Sequence, residues 1–217
     1  MQKRSTRIIA FIGAAIGWFA IIAQLYLIIA NRVVSVPGTI FRFFSYFTID
    51  TNILVALCFT LIFLGSKSRL GKFFTKATTI TALTVYIIIV GIVYNTILRL
   101  TWNPQGLQMV VDEILHSVIP VFFILFWVIS VPTEGLKYKD AFSWLIYPLV
   151  YMLYAVIHGA ITKFYPYIFV DVTRHGYGKV MSNAGLILFA IFVLSLILIA
   201  TGKGTRDKKK SSNQQLK

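Results

Sequence analysis

The chain has 217 residues, 58% of them hydrophobic, and a mean hydropathy of +0.79. A water-soluble globule of this size needs a far more polar surface, so the composition excludes an ordinary soluble domain. The formal net charge of +14 would suggest nucleic acid in a soluble chain. Here the basic residues cluster between apolar runs, and the sequence has no nucleic-acid module, phosphate-cradling glycine loop or internal repeat.

A hydrocarbon core of ~30 Å takes about 20 apolar residues per helix. Six runs reach that length, at about 8–30, 45–64, 78–98, 110–130, 142–161 and 183–201. Backbone groups in lipid must bond within their own segment, and barrel strands would be shorter and alternating, so helices are predicted. The first run follows MQKRSTR. It is longer than a signal-peptide core and no small-x-small site closes it, so it is read as a span. The second holds the only cysteine, Cys58, which leaves no intrachain disulfide and no cysteine-built metal site. WNPQ opens the fourth, with Asn103 as the expected N-cap and Pro104 at the first helical position. The fifth contains Pro148. The connection after it, TKFYPYIFVDVTRHGYGKVMS, is rich in Tyr and Phe and is expected to lie along the membrane surface. From residue 203 onward the tail is polar and basic and is expected to be disordered, its KKK run attracting anionic headgroups.

Short connections make consecutive helices antiparallel neighbours in one bundle, so the fold class is an all-α polytopic membrane protein with one domain over residues 1–202. Fifteen of the 21 Lys and Arg lie on one side, in the N-terminal segment, the second and fourth loops and the tail. The other side holds Arg32, Arg42, Arg99, Lys163, Arg174 and Lys179. The positive-inside rule therefore puts both termini in the cytoplasm, with the cell membrane as the location.

The ionisable residues in the spans are unevenly spread. At ~1.5 Å of rise per residue, Thr48, Asp50 and Asn52 fall about 4, 7 and 10 Å below the outer boundary. His116 falls roughly 6–9 Å deep and His158 about 5 Å, while Asp112 and Glu113 sit near the boundary. Gln24, Asn95, Arg99 and Asn183 lie at the same end of their helices. Charges in lipid cost several kcal/mol on insertion scales, about 2.5–3.5 at mid-bilayer, so this layer is read as a polar cavity opening outward. Helical spacing puts Asp112, Glu113 and His116 on one broad face, and Thr48, Thr51 and Asn52 on one stripe with Asp50 on the opposite side.

Simpler roles stand beside functional ones. Asp112 and Glu113 suit a helix N-terminus or a pairing with Arg99. His116, His158 and Asn52 suit interhelical hydrogen bonding, and a helical Thr usually bonds the carbonyl four residues back. Three functional readings follow. In a lipid hydrolase, Thr48 is the nucleophile and His116 or His158 the base. Asp112 or Glu113 then orients the imidazole, and Asn52 or Asn183 donates to an oxyanion. In a metal-dependent hydrolase, Asp112, Glu113, His116 and His158 hold zinc. In a transporter or amphiphile-binding protein, the same groups line a path, although confinement to one side disfavours a midplane site.

The segments SYFTIDTN around Thr48, HSVIPVFF from His116 and VIHGAITKFYPY around His158 resemble the androgen-induced protein and ADTRP family of multi-span membrane proteins. The resemblance implies a threonine-dependent hydrolase of hydroxy fatty acid esters, with Thr48 as nucleophile and His116 as base. No cofactor and no metal ligand are assigned from the sequence. The chain departs from the animal pattern in the immediate VIP after Ser117 and in the Asp-Glu pair before His116. On this reading the supporting polar cluster is Asp50, Asn52, Asn95, Asp112, Glu113, His158 and Asn183. The partners are membrane lipids and a lipid-like substrate, with no nucleic acid.

Overall fold

The computed structural model describes the backbone of residues 4–131 and 135–215, with side chains as far as Lys203. Six helical segments are long and apolar enough to cross a membrane: Arg4–Ala30, Phe47–Leu64, Ala77–Leu100, Gly106–Ser130, Asp140–Thr162 and Val172–Lys203. Among the described residues there is no strand. The chain is thus an all-α polytopic membrane protein, as composition and hydropathy required. Large apolar side chains such as Ile22, Val128, Leu186 and Phe189 stand on outward faces. A coat of that kind suits lipid and would aggregate in water.

Within these spans the elements are α1 (Arg4–Ala30), α2 (Val36–Phe43), α3 (Phe47–Leu64), α4 (Arg69–Phe74) and α5 (Ala77–Thr96). They continue as α6 (Gly106–Glu113), α7 (Ile119–Ser130), α8 (Asp140–Trp144), α9 (Ile146–Thr162) and α10 (Val172–Gln215). The first connection contains α2, whose first turn is capped by the Ser35 hydroxyl accepting from the Gly38 N–H at 3.4 Å. The sixth span starts well before residue 183. Its first turn ends at Gly176, whose φ of 72° breaks the helix, a conformation glycine adopts without Cβ strain. At the other end the backbone stays helical to Gln215, where composition favoured disorder; no proline interrupts it. The side chains of the KKK run lie outside the described residues.

Small residues let α1 and α3 approach. Gly13 and Gly17 are buried one turn apart. A Cβ on Gly13 would lie 2.5 Å from the Phe59 ring, and one on Gly17 would lie 3.2 Å from the Ala56 Cβ. In lipid, where burying apolar surface brings little gain, such close backbone packing is a main source of helix association. Phe59 is fully buried and meets Phe123 and Phe126 of α7 edge-on, each at 5.1 Å between ring centres. Polar side chains are satisfied between helices: Trp127 donates to Thr81 at 2.9 Å, and Tyr86 donates to the Trp144 carbonyl at 2.7 Å.

Candidate functional site

A cavity of about 730 Å³ opens at the end of the bundle where α1 and α5 finish and α3 and α6 begin. Its wall brings Thr48, Asp112 and His116 together with Gln24, Trp102 and Tyr167. Asp112 is the one formally charged side chain on the wall among the described residues.

The fourth span is not a regular helix, and this decides where His116 sits. Residues Ile114–Val118 form a π-helical turn, in which the Ile119 N–H reaches back five residues to the Ile114 carbonyl. Pro120 has no N–H to offer the carbonyl of Leu115 or of His116, five and four residues back. Two asparagines replace it. Asn52 on α3 donates to the Leu115 carbonyl at 3.2 Å, and Asn95 on α5 donates to that of His116 at 3.4 Å. Gly91 admits this approach, since a Cβ there would lie 3.2 Å from the His116 oxygen. Asn52 and Asn95 were expected at the cavity. They serve the backbone behind it instead. Asn52 also donates to the Thr48 carbonyl at 2.8 Å, and its buried Oδ1 has no hydrogen-bond partner among the described residues.

The His116 ring is buried and stacks on Tyr94, with 3.9 Å between ring centres and 13° between planes. Its Nδ1 lies 2.8 Å from the main-chain oxygen of Asp112. A carbonyl only accepts, so Nδ1 carries the proton and Nε2 keeps a lone pair. The expectation that the Asp112 carboxylate orients the imidazole is therefore corrected. That carboxylate accepts from Trp102 Nε1 at 2.7 Å and from Gln108 Nε2 at 3.0 Å, and Gln108 donates onward to Gln24 at 2.8 Å. Asp112 does not pair with Arg99; Glu113 does, forming a half-exposed ion pair off the cavity wall.

Thr48, in the first turn of α3, has no helical carbonyl four residues back to accept its hydroxyl. Tyr167 meets it: the phenol oxygen accepts the Thr48 N–H at 3.1 Å and lies 3.2 Å from Thr48 Oγ1. Burial pushes the Tyr167 phenol up to about 12, so it stays protonated. No hydrogen bond joins Thr48 to either His116 or His158. The expected Thr48, Thr51 and Asn52 stripe also divides. Thr51 is 3.3 Å from the Tyr147 phenol on α9, and only Thr48 lines the cavity.

The remaining candidates lie elsewhere. His158 is buried among Phe41, Tyr154 and Phe164, with Thr162 Oγ1 3.5 Å from its Nε2. Asn183 donates to the Phe169 carbonyl at 2.9 Å, holding the connection before α10. Asp50 is half-buried off the cavity wall and has no ion-pair or hydrogen-bond partner for its carboxylate among the described residues. The helix opened by WNPQ begins at Gly106, with Gln105 in the cap position. Asn103 instead accepts from the Gln105 side chain at 3.3 Å. No group of three or more His, Cys, Asp or Glu able to hold a metal occurs among the described residues. The four-residue zinc set is thus not assembled.

Sequence reasoning missed Tyr94, Trp102, Gln108 and Tyr167. Gln108 could have been found, since it lies one turn before Asp112 on the same helix face. Tyr167 was grouped with boundary aromatics, and nothing local separates it from Tyr165 or Phe169. Comparison with family models, curated proteins and solved structures found no match. The fold and the site together define a helical membrane protein with an open cavity, partly lined by polar side chains, at one end of the bundle.

Proposed function

We propose that this protein hydrolyses esters of membrane amphiphiles in the cavity, with Thr48 as nucleophile and His116 as base. The observation that carries the reading is the His116 geometry: Nδ1 is held by a main-chain carbonyl, which leaves Nε2, without a partner among the described residues, on the wall of a cavity that Thr48 also lines. An imidazole fixed in one tautomer is what general-base catalysis needs.

In this mechanism Tyr167 accepts the Thr48 N–H and donates its own proton to Thr48 Oγ1. The Thr48 proton is then free to leave. It passes to His116 Nε2 as Oγ1 bonds to the ester carbonyl carbon. The tetrahedral adduct collapses as the alcohol departs with the proton from His116. A water deprotonated by His116 then attacks the threonyl ester, and the proton on His116 passes to Oγ1 as the acid is released, restoring Thr48 and the neutral imidazole. The Tyr167 phenol stabilises negative charge on Oγ1 at both ends of the sequence. The resemblance of the segments around Thr48 and His116 to the androgen-induced protein and ADTRP family supports the same pair of roles.

The basic residues at the opposite end of the bundle support an orientation with both termini in the cytoplasm and the cavity facing outward across the cell membrane. A second reading is a non-catalytic protein that binds or moves an amphiphile. The Tyr167 partner of Thr48, in place of an imidazole, favours it. Labelling by a serine/threonine-directed fluorophosphonate separates the two. Hydrolysis predicts an adduct on Thr48 that vanishes in Thr48→Ala and weakens in His116→Ala. A protein that stays unlabelled, or labels equally in Thr48→Ala, is not a threonine hydrolase.

A further inference from the structure

Behind the Thr48–Tyr167 pair lies a second, smaller space of about 50 Å³, between α3, α5, α9 and α10. Thr48, Leu98 and Tyr167 line both spaces, so the pair forms the partition between them. The two sides differ in chemistry. The large chamber carries amide, carboxylate and imidazole groups, whereas the small one is walled by side chains such as Ile89, Val93, Met152, Ile187 and Ile191. Its phenols are turned to other partners: Tyr151 donates to the Ser45 carbonyl at 3.0 Å, and Tyr167 bonds Thr48. A polar ligand would gain nothing there. Ile187 and Leu188 of α10 are only half-buried, so the crevice ends close to the lipid-facing surface of the bundle.

We propose that this crevice is an acyl-chain site, and that the ligand is a single-chain amphiphile whose polar head occupies the chamber while its chain passes the Thr48–Tyr167 partition. The inference rests on the ester-hydrolase reading for the position of the reacting carbonyl, but not for the binding itself. Each water-sized group needs about 10–15 Å³ of such space, so the crevice takes roughly three to five methylenes. The rest of a longer chain leaves past the half-buried side chains of Ile187 and Leu188 into the bilayer. The partition sets the register: a carbonyl at the head–chain junction stops beside Thr48.

The test uses the full chain in lipid nanodiscs and a non-hydrolysable 1-O-alkylglycerol carrying a diazirine on its chain. After photolysis, adducts mapped by mass spectrometry should concentrate on the crevice residues Ile89, Met152 and Ile187. Excess unlabelled alkylglycerol should reduce them at least fivefold, and Ile191→Trp, which fills the crevice, should do the same. If Ile191→Trp does not fold, Leu188→Trp at the half-buried rim takes its place. Adducts spread over lipid-facing residues such as Leu186 and Phe189, or insensitive to competitor, overturn the proposal. Hydrolysis is read separately as the ratio of dodecanoate to acetate p-nitrophenyl ester turnover, which should fall at least tenfold in the same variant. Crevice labelling without turnover of any ester rejects the hydrolase reading and upholds the chain site. Turnover without crevice labelling upholds the hydrolase and rejects the chain site.

Discussion

His116 and Asp112 are joined through the Nδ1 of one and the main-chain oxygen of the other, 2.8 Å apart, while the Asp112 carboxylate faces Trp102 and Gln108. The backbone, not an acidic side chain, fixes the imidazole. In the proposed mechanism His116→Ala should then lower kcat by about 10²–10⁴-fold, the usual contribution of a positioned general base. Asp112→Asn should cost less than about tenfold, because the carbonyl that holds Nδ1 is unchanged. A loss of equal size in both variants, measured as kcat on one ester, would show that the carboxylate matters directly.

Tyr167→Phe removes both hydrogen bonds to Thr48 while keeping the ring in place. Leaving the Thr48 N–H without its partner should destabilise the protein by about 1–3 kcal/mol. The loss of a donor to Oγ1 should also slow turnover, by up to about 10²–10³-fold if the phenol acts as an oxyanion donor does. Thermal melting in detergent and kcat read the two effects separately. A variant with normal melting and normal turnover would remove Tyr167 from the mechanism.

The π turn makes a prediction about coupling. Asn52→Ala strips the Leu115 carbonyl of its side-chain donor, at an expected cost of about 1–2 kcal/mol. Pro120→Ala restores a main-chain N–H that can reach the same carbonyl or that of His116. The Asn52→Ala penalty should therefore shrink by about 1 kcal/mol in the Pro120→Ala background, as a double-mutant cycle would register. Strict additivity of the two melting shifts would mean that Asn52 does not replace the donor proline removed.

The α1–α3 contact is set by the absence of side chains at Gly13 and Gly17. Gly13→Leu must displace the fully buried Phe59 ring, and overpacking of this kind costs about 1–3 kcal/mol. Gly185→Leu, at a position with open space around it, should stay within about 0.5 kcal/mol. Equal melting temperatures for the two would show that α1 does not depend on this close approach.

Asp171, just before α10, has a pH signature with a definite sign. Burial alone would raise its carboxyl, but hydrogen bonds from the Thr173 hydroxyl at 2.5 Å and the Thr173 N–H at 2.9 Å outweigh it and hold the group below its ordinary value. A carboxylate depressed on folding stabilises the fold above its unfolded pKa of about 4, and that stability is lost as pH falls through the lower folded value. Wild type should lose melting temperature on acidification below about pH 4 more steeply than Asp171→Asn. Matching acid limbs would show that the cap carries no pH-linked stability.

Much was legible from the order of residues alone. Six apolar runs of membrane-spanning length dictate helices, because lipid offers no partner for a free amide or carbonyl. The helical rise along those runs was enough to bring Thr48, Asp112 and His116 to one end of the bundle. What periodicity could not carry was direction. Asn52 and Asn95 were counted with the cavity, yet both turn toward carbonyls freed by a proline on a different helix. His158 lies at a similar depth but is packed among aromatic rings.

Length and apolarity thus decide the number of crossings and the depth of each polar group, since both follow from local backbone hydrogen bonding and the rise of a helix. Only the packed bundle decides which side chain meets which. Tyr167 reaches Thr48 across 119 positions of chain, and Asn52 reaches Leu115 across 63. No property of either residue taken alone encodes those meetings. They depend on the angle at which each helix rests against its neighbours, and that angle is set jointly by the glycines of α1, the π turn at Ile114–Val118 and every ring packed between them.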